Sequence, residues 1–259
     1  MSIFNRTITH TILAALLVLS AAICVTAQGT KSVKQNERDK TAIPPTVQET
    51  HGEEGDQKGA APTTTAAAAD AVSYSYEFKQ PDFIVSRILV EHGQDGRGRV
   101  SFERKGNEEM VVEPLELSAA ALSRITALWE SLRFLDSEEE YQSDRQFPHM
   151  GTMRLRMAHG GRERTAEFNW TSNRDAAALA SEYRRAADQT IFIFDITVAR
   201  ENRPLDAPKL MDNLDLLLSR GGLSDPQQLV ALLRDLSTDE RIPLIARNHA
   251  GRLLKKIKK

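Results

Sequence analysis

The chain has 259 residues, of which 41% are hydrophobic and 27% are charged, and its formal net charge is −2. This length suffices for one large domain or two small ones, and the hydrophobic content is typical of a globular protein. The near-zero net charge excludes bulk electrostatic attraction to nucleic acid, so we expect no nucleic-acid partner.

The first 27 residues have the pattern of a secretory signal peptide. Arg6 is followed by an apolar run over residues 12–25 and then by small residues ending at Ala27. This run is shorter than the roughly 20 residues that a membrane-spanning helix needs. We expect cleavage after Ala27 and an exported protein, periplasmic or extracellular, without an integral membrane span.

The single cysteine, Cys24, lies inside this segment. Lipid attachment there requires a small residue at the preceding position, where the sequence has Ile23, so lipoprotein processing is the disfavoured alternative. After cleavage at Ala27 the mature chain contains no cysteine. It then lacks disulfides, thiolate metal sites and a cysteine nucleophile, and its stability must come from its core.

Residues 28–72 form a predicted linker. The segment contains Pro44, Pro45 and Pro62, runs of threonine and alanine, and no aromatic residue. Such a composition buries too little apolar surface to offset the entropy of ordering the chain. We interpret it as a disordered tether that holds the folded part away from the membrane, with a docking segment as the alternative.

The α+β domain is predicted to cover residues 73–203. At its start Tyr74, Tyr76 and Phe78 alternate with other residues, and a period of two is typical of a half-buried strand. We expect an edge strand or a lead-in there, ending at Pro81.

Residues 83–112 predict a three-stranded antiparallel meander with glycines at its turns. A turn at 94–96, with Gly96 in the left-handed conformation, fixes the first register, and a turn at 105–107 fixes the second. The predicted pairs are Val90 with Val100, Ile88 with Phe102, Glu91 with Arg99, Phe102 with Met110, and Val100 with Val112.

Residues 152–170 predict a β-hairpin that turns at Gly160 and Gly161. Apolar and polar residues alternate on both arms, and Trp170 continues the apolar face of the second arm. A two-glycine turn and this alternation give the same register independently. The predicted pairs are Leu155 with Ala166 and Met153 with Phe168 on the buried face, and Arg154 with Glu167 and Thr152 with Asn169 on the solvent face. With the meander, the hairpin predicts an antiparallel sheet of about five strands, covered by helices.

Two amphipathic helices accompany the strands. Ser118 caps the first helix. Its apolar stripe consists of Leu122, Ile125, Leu128, Trp129 and Leu132. The second is predicted over 174–203, with Ser172 and Asp175 as a capping-box variant. Residues 190–198 are β-branched and aromatic, which by itself indicates a strand, but no glycine or proline precedes them in the segment, which favours helix.

The connection over residues 136–149 is the candidate functional segment. It is long for a loop within a compact domain, and such loops are commonly functional or mobile. Its candidate interaction residues are Glu138, Glu139, Glu140, Tyr141, Asp144, Arg145 and His149. The alternative interpretation is a solvated acidic loop anchored by Phe147 and Pro148.

Residues 204–259 are predicted to form a helical C-terminal region of three short helices packed on the long helix. His249 lies on an apolar helix face and is interpreted as a packed histidine rather than a ligand. The region ends in basic residues, namely Arg252, Lys255, Lys256, Lys258 and Lys259. Cations at a helix C-terminus are favoured by the helix dipole, and a weak contact with an anionic surface is the alternative.

The sequence contains no serine-nucleophile elbow, phosphate-binding glycine loop or metal-ligand spacing. We therefore assign no catalytic, cofactor-binding or metal residues and expect no cofactor. The leading hypothesis is an exported, non-catalytic binding or structural module of the cell envelope or periplasm, with a protein or envelope polymer as partner. The alternative is a hydrolase with an acid or base in 136–149. A third is an inhibitor or chaperone-like domain that uses the solvent-facing side of the sheet.

Overall fold

The computed structural model describes residues 71–258, which form one antiparallel sheet and five α-helices. The strands are β1 (Ser73–Lys79), β2 (Val85–Gly93), β3 (Arg97–Arg104), β4 (Asn107–Glu116), β5 (Thr152–His159) and β6 (Arg162–Phe168). The helices are α1 (Ala119–Ser131), α2 (Arg174–Asn202), α3 (Ala207–Ser219), α4 (Val230–Thr238) and α5 (Leu244–Ile257). The predicted α+β class is confirmed. The predicted signal peptide with Cys24, the predicted linker up to residue 70, and Lys259 lie outside the described residues.

Strand β1 lies in the interior of the sheet, whose strand order is β4-β3-β2-β1-β5-β6. It pairs antiparallel with β2 on one side and with β5 on the other. The expectation of an edge strand or lead-in is therefore wrong, because the later hairpin returns to pair with β1. The alternation was interpreted correctly, since Tyr74, Tyr76 and Phe78 are all buried.

The β2–β3 hairpin has the predicted register. Val90 pairs with Val100 and Ile88 with Phe102, and all four side chains are fully buried. Gly96 has a φ of 76°, a left-handed conformation that costs glycine nothing and that other residues rarely adopt. The turn and the apolar pattern therefore agree, and together they determine the pairing.

The β3–β4 hairpin departs from the predicted register. Its turn is shorter than expected, because Arg104 already pairs with Asn107, and a bulge then shifts the ladder. The observed pairs are Phe102 with Val111, Ser101 with Val112 and Val100 with Glu113, in place of Phe102 with Met110 and Val100 with Val112. A one-residue change moves side chains to the opposite face, and Met110 and Val112 are accordingly exposed.

The β5–β6 hairpin confirms the predicted register over its whole length. The observed pairs include Leu155 with Ala166, Met153 with Phe168 and Arg154 with Glu167. Leu155 and Phe168 are buried on the helix-covered face. The strand ends at Phe168, so the predicted pair of Thr152 with Asn169 is not part of the ladder. Trp170, expected on the buried face, lies beyond the strand and is 43% exposed.

Helices α1 and α2 cover the buried face of the sheet. The Ser118 hydroxyl caps α1 as predicted, accepting from the backbone N–H of Ala121 at 3.2 Å. Helix α2 runs through residues 190–198 without a break, which confirms the helical interpretation of that β-branched stretch. Its cap is Asn173 rather than Ser172, because the Asn173 side chain accepts from two backbone N–H groups at 3.0 Å.

Helix α2 contributes to two hydrophobic clusters. Leu179 and Tyr183 belong to the cluster between sheet and helices, whereas Phe192 and Ile196 belong to a second cluster with the three C-terminal helices. Members of the second cluster from α3, α4 and α5 include Met211, Leu214, Leu233 and Leu253. The helical C-terminal region therefore packs on α2. Within residues 71–258, none of the helices combines the length and apolar character that crossing a bilayer requires.

The sheet surface facing away from these helices carries ion pairs between neighbouring strands. Glu77 is buried among them, with Lys79, Arg87 and Arg154 at 3.0, 2.7 and 3.2 Å from its carboxylate. Burial alone raises the pKa of Glu77, but the hydrogen bonds and charges of Lys79 and Arg87 outweigh it and lower that pKa. The carboxylate thus stays ionised in the middle of the sheet.

Candidate functional site

The loop over residues 136–149 lies against β6 and the residues that follow it. Arg164 of β6 donates to the Glu139 carbonyl at 2.5 Å, and its guanidinium lies over the ring of Tyr141 in the loop and over that of Phe134 just before it. Farther along, the Asn169 N–H donates to Gln142 Oε1 at 2.8 Å, and Gln142 Nε2 donates to Asn169 Oδ1 at 3.2 Å. The loop is therefore fastened at both of these points.

The predicted interaction residues of this loop are not gathered in one place. Tyr141 is buried in the core, where its ring stacks on Phe134. The exposed members are Glu138, Glu139, Glu140, Asp144, Arg145 and His149. Glu139 Oε1 accepts from Asn173 Nδ2 at 3.0 Å, which ties the loop to the start of α2. None of the seven residues lines the cavities described next.

An apolar groove of about 290 Å³ opens beside the end of this loop. It is lined by Tyr76, Met153 and Phe168 of the sheet, by Met150 and Trp170 next to β5 and β6, and by Ala177, Ala180, Ser181 and Arg184 of α2. We call this cavity the apolar groove. Met150 and Trp170 are 42% and 43% exposed, and large apolar side chains left in water around a concavity are typical of a binding surface.

Arg184 brings a positive charge to the apolar groove. Its Nε donates to Asp188 Oδ1 at 2.9 Å, and its guanidinium lies 4.9 Å from the centre of the Phe78 ring. Burial raises the pKa of Asp188, and the charge of Arg184 opposes that rise. The bond to Asp188 uses Nε, and the two terminal nitrogens of Arg184, which are donors, make no hydrogen bond among the described residues.

Two hydroxyl groups complete the polar part of the apolar groove. The Tyr76 ring is buried and stacks on Tyr183 with the centroids 5.5 Å apart, and burial raises the pKa of Tyr76 well above its usual value. Its hydroxyl is therefore neutral near pH 7. The Ser181 hydroxyl donates to the Ala177 carbonyl at 2.8 Å within α2. This arrangement suits an apolar group that ends in a hydrogen-bond acceptor or an anion.

A second cavity, of about 330 Å³, lies where the 136–149 loop begins. Its ionisable lining residues are Glu130, Arg133, Asp136, His159 and Arg162. Arg162 donates to Asp136 Oδ1 at 2.6 Å, and this hydrogen bond and charge lower the pKa of Asp136. Asp136 is thus an ionised carboxylate. It belongs to the 136–149 loop, and it lines the same cavity as His159. We call this cavity the Asp136 cavity.

The C-terminal basic residues divide between an ion pair and solvent. Lys256 donates to Asp215 at 2.7 Å, whereas Arg252, Lys255 and Lys258 are exposed. His249 is buried, with its ring nitrogens 3.2 and 3.4 Å from Asp212 and Asp215 carboxylate oxygens, in agreement with a packed histidine. Contact of this end with an anionic surface stays a prediction.

The apolar groove is not predicted by the sequence patterns. Its residues come from β1, from both sides of the hairpin, and from α2, and periodicity marked most of them as ordinary core positions. The available signal was Trp170, a large aromatic residue directly after a strand and before a run of turn-forming residues. The alternation of the hairpin predicts Trp170 as its last inward residue and therefore places it in the core.

Among residues 71–258, no three or more His, Cys, Asp and Glu side chains are grouped in a way that would hold a metal ion. Comparison of the sequence with models of known protein families and with curated proteins gave no match.

Proposed function

We propose that this chain is an exported, non-catalytic binding module of the cell envelope or periplasm, which takes up an apolar group of its partner in the apolar groove. Export is supported by the signal-peptide pattern of residues 1–27, and residues 28–72 act as a tether in this proposal. The partner is a protein or an envelope polymer.

The observation that carries the proposal is the position of Trp170. Its ring stands at the edge of a concavity lined by Phe168, Met153 and Met150, and Phe147 contacts it edge-on at 5.3 Å between centroids. An aromatic side chain held this way offers a large contact area at little entropic cost. The groove is near the lower end of the volume range of ligand sites, which fits one aromatic or branched apolar group rather than a long lipid chain.

Arg184 and Tyr76 give the groove its selectivity in this proposal. A guanidinium and a neutral phenol both donate hydrogen bonds, so they favour a bound group that carries an acceptor or a negative charge. Apolar groups bearing a cation would lose the hydrogen bonds and meet the charge of Arg184. The expected ligand is therefore apolar with one acidic or carbonyl end.

Anilinonaphthalene sulfonate, an apolar aromatic ring system with one anionic group, is a suitable probe. Its fluorescence increases when it enters an apolar site, and we expect saturable binding to the folded protein. Trp170→Ala and Ala177→Leu, which remove the edge and fill the groove, should each weaken binding about tenfold or more. Arg184→Gln should weaken binding of the anionic probe more than binding of an uncharged analogue.

Leu205→Ala is the matched control, because Leu205 is 84% exposed and lies outside the groove. It should leave probe binding unchanged. Equal binding by the parent protein, Trp170→Ala and Ala177→Leu, with unchanged melting temperatures, would refute a role for the groove. The export part is tested separately by mass spectrometry of the mature N-terminus, which should begin at Gln28.

The Asp136 cavity favours one second candidate function, a hydrolase. An ionised carboxylate and a histidine line the same concavity there, which is the combination that general-base activation of water uses. Hydrolysis of a nitrophenyl ester that is lost in Asp136→Asn and in His159→Gln, but kept in Trp170→Ala, would replace the binding proposal with this one.

A further inference from the structure

Strand β4 forms one edge of the sheet, and its backbone is positioned to accept another strand. At its end, the Glu116 carbonyl accepts from Gln228 Nε2 at 3.1 Å, so the backbone of Glu116 faces away from β3. Alternate residues of a strand direct their N–H and C=O to the same side. The backbone groups of Pro114 and Val112 therefore also point away from β3, toward the open edge. Proline, which has no N–H to pair, is found on such edges.

A groove of about 340 Å³ runs beside this edge on the helix-covered side. Residues that line it include Glu113 and Leu115 of β4, Thr190 and Ile193 of α2, and Ser224. Ser224 is 8% exposed, and its buried hydroxyl has no hydrogen-bond partner among the described residues. A buried hydroxyl is normally paired, and this unpaired hydroxyl belongs to a residue that lines the groove.

The charges of β4 identify the chemistry of that partner. The strand contains Glu109, Glu113 and Glu116, and its sequence has no lysine or arginine. Arg97 of β3 approaches Glu116 only to 4.0 Å. The Val112 side chain, on the sheet face away from the helices, is 56% exposed. An added strand therefore meets glutamates and exposed apolar side chains, which favours a segment that alternates basic and apolar residues.

A second copy of this chain is a poor occupant of the same edge. Antiparallel pairing of β4 with itself brings two glutamate-bearing strands without lysine or arginine side by side in every register. In the register centred on Val111 it also places Glu109 of one copy across from Glu113 of the other, and like charges directly opposite each other in a ladder are destabilising. The acidic edge thus disfavours self-association and leaves a basic partner segment as the match.

We propose that β4 binds an extended basic segment of a partner protein by strand addition. The added strand pairs with the outward backbone of Val112 and Pro114, its basic side chains face Glu109 and Glu113, and one helix-side side chain enters the groove beside Ser224. Main-chain hydrogen bonds supply affinity in this mode of recognition and side-chain pockets supply specificity. The surface is separate from the apolar groove, so the proposal does not depend on the function assigned to that groove.

A fluorescein-labelled peptide of alternating lysine and valine, titrated with the full-length protein, tests the proposal by fluorescence anisotropy. We expect saturable binding that weakens with added salt, and no binding of the matched glutamate–valine peptide. Glu109→Lys with Glu113→Lys should weaken binding about tenfold or more. Val112→Pro removes a backbone N–H at the open edge and should weaken peptide binding by a similar factor at low and high salt.

Glu201→Lys with Glu240→Lys is the charge-matched control, since Glu201 and Glu240 are exposed residues outside β4, and it should bind the peptide like the parent protein. Circular dichroism establishes whether each variant is folded. If Val112→Pro does not fold, the double lysine variant still tests the proposal. Three results would each overturn the proposal: equal binding of the acidic peptide, unchanged binding by the double lysine variant, or a stable dimer in sedimentation that the double lysine variant abolishes.

Discussion

The indole N–H of Trp129 donates a hydrogen bond to the hydroxyl of Tyr183 at 2.9 Å, inside the core. His92 extends this contact, with Nε2 at 2.9 Å from the same hydroxyl and Nδ1 at 2.7 Å from the Gly93 carbonyl. A carbonyl can only accept, so Nδ1 carries the proton and the Tyr183 hydroxyl donates to Nε2. The three side chains form a directed chain of hydrogen bonds around a neutral histidine.

Tyr183→Phe should destabilise the protein by about 1–3 kcal/mol, because it leaves the Trp129 N–H and His92 Nε2 buried without partners. Urea unfolding followed by circular dichroism measures the loss. Tyr141→Phe is the matched control. Tyr141 is equally buried, but its hydroxyl contacts Arg164 at a long 3.4 Å, so its loss should be smaller. A Tyr183→Phe variant no less stable than this control would contradict the hydrogen-bond chain.

Folding stability should depend on the protonation of His92. Burial lowers the pKa of His92 below its usual 6.5, so below that pH the unfolded chain binds more protons than the folded one. The stabilising contribution of neutral His92 is therefore complete above pH 6.5, and it is lost as the pH falls from there through the lower pKa of the folded state.

Unfolding free energies measured between about pH 8 and about pH 5 check this dependence. Replacing His92 by Gln removes the titrating group, so the variant should lose less stability on acidification than the parent protein does. Burial also raises the pKa of Asp188, and because both proteins share this group the comparison cancels its contribution. Identical pH slopes in the two proteins would rule out the assigned role of His92.

Gly98→Ala should be strongly destabilising, by about 3 kcal/mol or more. A Cβ at Gly98 would lie 1.8 Å from the Glu91 carbonyl oxygen and 2.6 Å from the Cα of His92, so the backbone of β2 would have to move. Gly251→Ala provides the contrast, because a Cβ there has no neighbour within 4 Å and alanine gains about 1 kcal/mol over glycine in a helix interior. Thermal melts should shift in opposite directions for the two variants.

Asn169→Ala should loosen the 136–149 loop. The Asn169 Oδ1 accepts from the Phe147 N–H and from Gln142 Nε2, each at 3.2 Å, and losing both should lower the local opening free energy by about 1–3 kcal/mol. Trypsin cleavage after Arg145, which is exposed within the loop, should accelerate accordingly. Asn213→Ala, at an exposed helical position, should leave the cleavage rate unchanged. Equal rates in both variants would show that this tie does not hold the loop.

The β5–β6 part of the sheet could be predicted because two independent local signals agreed there. At the β5–β6 hairpin the paired glycines and the alternation of apolar residues required the same register, and that register was found. At β3–β4 a predicted three-residue turn at 105–107 set the register, which placed Val112 inward opposite Val100. The tighter turn at Gly106 and the bulge after it moved Val112 to the other face, and neither feature has a clear signature in one sequence.

The candidate site was less accessible from sequence than the fold. The length and charge of the 136–149 loop predict an interaction segment. In the structure the loop lies against β6 and the residues that follow it. The apolar groove depends on β1 lying between two hairpins, which brings Tyr76 beside Trp170 and Arg184. Such neighbours are determined by strand order, which local periodicity does not encode.

The loop along β6 has a consequence for how molecules of this protein can be linked. If both sides of the sheet were open, β4 of one molecule could join β6 of the next, and a head-to-tail contact of this kind repeats without closing and grows into a fibre. Residues 136–149 are bonded to the Arg164 side chain and to residues that follow β6, and the backbone N–H of Ser143 donates to the Trp170 carbonyl. A strand that extended along the end of β6 would have to displace this bond, so the acidic β4 is the edge that a partner strand reaches without moving the loop.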